Sequence, residues 1–210
     1  MNFYRTLRSL CVAVCALALS AGCGKEATID NINDSKSDLK ESLGQVNTEA
    51  DETTENIESA YTQLKTVLDE MNLSDESIKL LEANLESMKS KYDDLKSALD
   101  DSKDNAEDLF DMLMRRAEEN QTYKEKMVAS IEEKQKQLAA KMDAANEVME
   151  KIEKSIQKYD DIVGYFQVEK GLDGIDGYIT DAEEAIKAGN ILNEEIKSHI
   201  NDGLDLVGAL

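Results

Sequence analysis

Two short stretches contain residue types that could do chemistry, and they lie near opposite ends of the chain. The first ends in Cys23, which follows the small residues Ser-Ala-Gly at 20–22. A cysteine sulfur is a nucleophile that can carry a covalent group. The second runs from Asp173 to Glu183 and contains the oxygen-bearing side chains that Ca²⁺ prefers. The sequence therefore offers one candidate for covalent modification and one for metal binding.

The residues before Cys23 have the three parts of an export signal. Arg5 and Arg8 give a positively charged start, and an apolar run follows from Leu10 to Leu19. That run is too short to span a bilayer, which takes about 20 residues. The ending looks like a bacterial lipobox, in which the cysteine receives a diacylglycerol and becomes the mature N-terminus. We therefore expect a covalent lipid, palmitate among its acyl chains, on Cys23 and no other cofactor.

These features predict a lipoprotein signal peptide over 1–22 and a lipidated cysteine with a short tether over 23–28. The alternative is an ordinary signal that is cleaved near Gly22 and leaves a free thiol. Cys11 and Cys15 fall within the signal, so the mature chain would hold one cysteine and no internal disulfide. Gly24 follows the cysteine, which resembles the default for sorting to the outer membrane. The expected location is the bacterial cell envelope, at the outer membrane facing the periplasm, with surface exposure as an alternative.

The acidic stretch near the C-terminus is similar to the second half of an EF-hand loop. In such a loop a glycine makes a sharp turn, and a glutamate six residues later binds Ca²⁺ through both oxygens, as Gly177 and Glu183 could. The first half lacks two acidic ligands, since Asp173 is one residue out of register. The favoured interpretation is a glycine-rich joint over 171–178 that leads into a capped helix over 179–210, with no metal. In the alternative, a weak calcium site, the ligands are Asp173, Asp176, Tyr178 and Glu183.

The composition excludes several classes of protein. The chain has 24 basic and 45 acidic residues, and removal of Arg5 and Arg8 with the signal would leave 22 against 45, a net charge of −23. A chain with this negative charge is repelled by nucleic acid, which excludes nucleic-acid binding as its function. The chain has no proline, no tryptophan and only three phenylalanines. Such a composition is typical of long helices or of disorder, and the periodicity decides between them.

Apolar residues recur at alternating spacings of three and four over three long segments. The seams run over 29–71, 78–113 and 128–166, with very few polar interruptions. Disordered acidic chains do not keep this phase over many heptads, whereas coiled-coil-like helices do. The fold class is therefore all-α: long antiparallel helical hairpins in a coiled-coil-like bundle spanning 29–170. Its three long helices are expected at about 29–71, 75–118 and 122–169, followed by the C-terminal helix.

The breaks between the helices are signalled more weakly than the helices themselves. Ser74 with acidic residues behind it suggests an N-cap at the first turn. The heptad phase nevertheless continues from Met71 to Ile78, so one continuous helix and an extended rod remain an alternative. The phase slips by one residue between Leu113 and Val128, which indicates a second break near 119–122. Similar helix lengths favour reversal into an antiparallel bundle.

The layout resembles an uncharacterised family of helical bacterial lipoproteins of about 210 residues, a domain of unknown function. The resemblance is carried by the lipobox, the first long helix, Leu109-Phe110-Asp111, Lys141-Met142 and the apolar run 162–166 before a final helix. It implies an all-helical envelope protein with no known activity.

The expected function is that of a non-enzymatic spacer, scaffold or adaptor. Its partners would be the bilayer, through the anchor on Cys23, and a protein or a second copy through the heptad seams. The alternative is a surface-exposed lipoprotein that binds a host or basic protein. Such a protein would have an apolar patch outside the seams. The residues that suggest one are only Tyr61, Leu68, Leu80 and Phe110.

Overall fold

The computed structural model describes residues 26–70, 73–120, 122–169 and 175–210. These ranges form four α-helices and contain no strand. The helices are α1 (Ile29–Asp69), α2 (Asp75–Glu118), α3 (Lys124–Glu169) and α4 (Ile175–Gly208). The all-α prediction is confirmed, and helix ends differ from the expected ones by two residues or fewer, except at the start of α4.

Polar side chains cap the starts of α1 and α2, and another stabilises the turn before α3. The Thr28 hydroxyl accepts from the backbone N–H of Asn31 at 3.2 Å. The Ser74 hydroxyl accepts from the N–H of Ser77 at 3.1 Å, so the N-cap expected there is present. In the second turn the side-chain oxygen of Asn120 accepts from the N–H groups of Thr122 and Tyr123, at 3.2 and 3.0 Å. These bonds satisfy donors that have no partner within a helix, and both breaks are therefore real helix ends.

The helices run antiparallel around a ring in which α1 packs on α2, α2 on α3, α3 on α4, and α4 on α1. Hydrogen bonds between helices show that neighbouring helices are antiparallel, because the residue numbers of the bonded partners rise along one helix and fall along the next. Thr53 of α1 bonds to Lys91 of α2, whereas Gln63 bonds to Asn84. The hairpin is therefore antiparallel, and the extended rod is excluded. The other three helix pairs show the same trend. The hydrogen bonds are Lys36–Gly208 and Asn47–Asn201 between α1 and α4, Lys89–Asp160 and Glu82–Gln167 between α2 and α3, and Lys141–Asp202 and Lys151–Glu195 between α3 and α4.

The predicted seams form the core of this bundle. Every apolar seam residue from Leu39 to Val67 in α1 is buried, and so are nearly all of those in α2 and α3. At the start of the α1 seam, Ile29 is 63 % exposed and Ile32 is half-buried. Ile29 lies beyond the end of α4, so no fourth helix covers it. Heptad spacing thus identifies the buried face wherever neighbouring helices are present on both sides.

The core is wider than the seams. Tyr61, Leu68 and Phe110 are buried, with at most 2 % of their surface exposed. A helix in a four-helix ring contacts two neighbours, so positions beside the a/d seam are covered as well. The interpretation of these residues as an exposed patch is wrong, and only Leu80 of that set is exposed, at 48 %.

The last helix is a full member of the bundle and not an appended segment. It begins at Ile175, four residues before the expected start, and its backbone stays helical through Gly189 and Asn190. It inserts between α1 and α3 and buries Ile196, Ile200 and Val207.

Gly203 permits a close approach in this part of the core. A Cβ atom at that position would lie 3.1 Å from a methyl group of Leu138 in α3 and 4.0 Å from one of Leu43 in α1. The glycine therefore lets α4 sit deep between its two neighbours.

A polar cluster crosses the core from α1 to α3 in the part of the bundle nearer the α1–α2 turn. The rings of Tyr61 in α1 and Tyr159 in α3 meet edge to face, with centroids 5.3 Å apart. The Tyr61 hydroxyl donates to the carbonyl of Ser155 at 2.6 Å, and Asn84 of α2 donates to the Tyr159 hydroxyl at 3.5 Å. These bonds join three helices and satisfy polar atoms that would otherwise be costly to bury.

Candidate functional site

Of the two predicted chemical sites, only the calcium site has residues within the described part of the chain. Cys23 and Asp173 lie outside the described residues. Asp176, Tyr178 and Glu183 lie within the backbone of α4, and their side chains are outside the description. An EF-hand loop presents a free carbonyl at the position of Tyr178. A carbonyl inside an α-helix is instead engaged by the N–H four residues later, so the backbone differs from that of the calcium loop. The lipidation of Cys23 and the calcium site stay predictions.

The first described residue, Glu26, follows Cys23 by only three positions. The bundle end nearest to it comprises the start of α1, the α2–α3 turn and the end of α4. We call it the N-terminal end. The opposite end, with the α1–α2 turn and the start of α4, is the far end. Any anchor on Cys23 would therefore act on the N-terminal end.

The N-terminal end has a step, because α4 stops before the other helices do. The Lys36 ammonium of α1 donates to the carbonyl of Gly208 at 3.4 Å, and that of Lys134 in α3 donates to the carbonyl of Ala209. The two lysines thus place positive charge at the negative C-terminal end of the α4 dipole. Since α3 starts at Lys124, ten residues before Lys134, its first turns extend about 15 Å beyond the end of α4.

An open groove of about 530 Å³ lies at this step. The apolar side chains of Leu113, Met127 and Leu210 are half-buried there, because no fourth helix covers them. Tyr123 stands at the rim, 60 % exposed. The remaining lining residues are Lys126, Ser130, Ile131, Lys134 and Ala209.

Charge at this end differs from the average of the molecule. Residues 113–134, from the end of α2 through the first turns of α3, contain five basic and five acidic side chains. The whole chain carries −21. Arg116 bonds to Glu119 at 3.1 Å, whereas Lys124 and Lys126 are exposed beside the apolar rim. The stretch 113–134 is therefore neutral, with exposed basic and aromatic side chains side by side, whereas the start of α1 and the end of α4 add Glu26, Asp30, Asp34, Asp202 and Asp205 to this end.

Along its sides the bundle has ion pairs that connect neighbouring helices. The hydrogen bond from Lys91 to Glu52, at 2.6 Å, raises the pKa of that lysine, and the bond from Lys197 to Asp51 does the same for Lys197. The bond from Lys141 lowers the pKa of Asp202. These groups are largely solvated, so such pairs contribute little stability. Of these three pairs, the one between Lys141 and Asp202 joins a lysine of α3 to an acid of α4.

Two tyrosines have perturbed ionisation in the body of the bundle. Burial raises the pKa of Tyr159 to about 12. Burial, together with the negative charge of Glu153, also raises that of Tyr92 to about 12. Both hydroxyls stay neutral at ordinary pH, and their roles in the fold are packing and hydrogen bonding.

Other surface features lie away from the N-terminal end. A groove of about 300 Å³ runs between α2 and α3, over Ala106, Phe110, Leu138 and Met142. At the far end, Leu80 is 48 % exposed and Val168 is 78 % exposed. Within 26–70, 73–120, 122–169 and 175–210, no group of three or more histidine, cysteine or acidic residues is arranged to hold a metal ion. In the same ranges, no helix combines the length and the apolar character needed to cross a membrane.

Comparison with protein-family models, curated proteins and solved structures found no match to this chain. The resemblance to an uncharacterised lipoprotein family therefore stays a prediction.

Proposed function

We propose that the chain is a lipid-anchored, non-enzymatic spacer, scaffold or adaptor of the bacterial cell envelope. The observation that carries the proposal is the position of the lipobox-like Cys23, six positions before the first helix of a closed four-helix bundle. A lipid on this cysteine would hold the N-terminal end of the bundle at the bilayer. Several acyl chains give firm anchoring, whereas one gives only reversible binding.

The dimensions of the bundle suit the role of a spacer. With 41 residues, α1 is about 60 Å long, and α2 and α3 are slightly longer. The short tether leaves little freedom between the bundle and the anchor. In this proposal, the far end would stand roughly 60 Å from the membrane and present its surface to partners at that height.

The alternative of a lipoprotein that binds a host or basic protein gains no support from the apolar surface. Three of the four residues that suggested an apolar patch, Tyr61, Leu68 and Phe110, belong to the core. The acidic sides of the bundle remain available for basic proteins, but acidic charge alone identifies no site.

The experiment that tests the anchor is Cys23→Ala with metabolic labelling by a fatty-acid analogue. We expect the wild-type protein to take up the label and to sediment with membranes. The variant should be unlabelled and should appear either as an unprocessed precursor or in the soluble fraction. Cys11→Ala is the matched control, since that cysteine lies within the signal and should be dispensable. Equal labelling of wild type and Cys23→Ala would refute the proposal.

A further inference from the structure

We infer that the N-terminal end of the bundle is a membrane-contact surface, which lies against the headgroup layer of the bilayer with Tyr123, Lys124 and Lys126 at its tip. This inference rests on the proposed anchor at Cys23. It goes further because it assigns a second, non-covalent contact to the folded bundle. The helices would then stand on the membrane with a defined end, and not merely near it.

The α2–α3 turn lies within reach of the anchor. Ile29 follows Cys23 by six positions, and extended chain spans at most about 3.6 Å per residue, or roughly 20 Å in total. Cross-helix pairing places Ile29 level with the last turn of α2, so the α2–α3 turn extends past it towards the anchor. The turn is thus within the anchor's reach, whereas Leu80 and Val168 lie at the opposite end of helices about 60 Å long.

The side chains exposed at this end are of the kind found at membrane interfaces. Tyr123 is 60 % exposed and Ile29 is 63 % exposed, although both are large and apolar in their bodies. A tyrosine with lysines beside it is typical of membrane interfaces, where the ring enters the headgroup layer and the ammonium groups stay in water. The early end of α4 leaves Leu113, Met127 and Leu210 half-buried in the groove behind this rim. The apolar surface therefore continues from the tip into the bundle.

Charge also favours the α2–α3 turn as the point of contact. A chain with a net charge of −21 is repelled by anionic surfaces. The stretch 113–134, which contains that turn, balances five basic against five acidic side chains, so the tip adds no repulsion of its own. The occupant that fits an apolar rim with flanking lysines, next to a lipid anchor, is the bilayer interface.

The absence of tryptophan from the chain allows a direct test with single-tryptophan reporters. Tyr123→Trp places the reporter at the N-terminal end, and Leu80→Trp places a similarly exposed one at the far end. Full-length protein, as processed by the producing cell and purified from its membranes, is reconstituted on phosphatidylcholine vesicles with or without bromine on the acyl chains. Flotation of the same samples reports whether the protein is anchored.

We expect the emission of Tyr123→Trp to shift to the blue and to lose most of its intensity on brominated vesicles. The emission of Leu80→Trp should be the same on both vesicles. If the Tyr123→Trp protein floats with the vesicles but its emission is the same with and without bromine, the proposed contact surface is refuted and the proposed anchor is not. A blue shift without bromine quenching would mean that protein covers the tip, for example a second copy, and would also overturn it. Failure to float would remove the anchor and this inference together.

Discussion

Leu138 shows how much a single side chain contributes to this bundle. It is 1 % exposed and faces Gly203 of α4, whose missing side chain leaves room for its methyl group. Leu138→Asp would bury a charge without a partner, which typically costs several kcal/mol. We expect a corresponding loss in the free energy of unfolding, measured by urea denaturation. Gln135→Asp, on an exposed site one turn earlier, is the control and should change little. Equal stabilities of the two variants would show that this position is not buried.

Tyr159 should make the bundle sensitive to alkaline pH. Its pKa is raised to about 12 in the folded chain, whereas an unfolded tyrosine ionises near its ordinary value of about 10. The stabilisation is therefore fully present below pH of about 10 and is lost as the pH rises towards 12, because only the unfolded state releases the proton.

We expect Tyr159→Phe to lose less thermal stability than the wild type does between pH 9 and pH 11.5, a window set by these two pKa values. The removed hydroxyl makes only a long hydrogen bond with Asn84, at 3.5 Å, so stability at neutral pH should change little. Tyr123→Phe, at an exposed site, is the matched control. The measurement is thermal melting, monitored by circular dichroism, at both pH values. Equal losses of stability in all three proteins would contradict the assignment of the alkaline sensitivity to Tyr159.

At the scale of elements, α4 determines whether the other three helices have a complete core. Ile196 is fully buried between α1 and α3. Ile196→Ala should lower the free energy of unfolding by about 2–5 kcal/mol, the usual cost of this truncation in a core. Ser198→Ala, exposed on the same helix, is the control. If Ile196→Ala matched its control in urea denaturation, α4 would be a dispensable appendage.

At the scale of the whole molecule, repulsion between acids opposes the compact state. The chain has 45 acidic and 24 basic residues, and its ion pairs between helices are exposed and weak. Salt shortens the Debye length from about 30 Å at 0.01 M to about 8 Å at 0.15 M, and so screens the repulsion. We expect the melting temperature to rise by several degrees over this range. A fall would mean that the exposed ion pairs contribute more than the repulsion costs.

The sequence by itself determined the features that depend on local spacing. Alternating steps of three and four residues fix which face of each helix is apolar, so the buried seams of α1, α2 and α3 could be predicted from the sequence. Ser74 marks the start of α2 because its side chain bonds to a backbone N–H group three residues away. Such signals need no knowledge of distant partners.

Only the tertiary structure decided which neighbours cover each face. Tyr61, Leu68 and Phe110 lie beside their seams, and they are buried because each helix has two neighbours in a ring closed by α4. The step at the N-terminal end arises because α4 ends opposite Lys36 and Lys134, a register that no single segment specifies. Heptad spacing defines an apolar stripe on one helix. The width of the buried face and the uncovered groove depend on the lengths and positions of helices that are distant in the sequence.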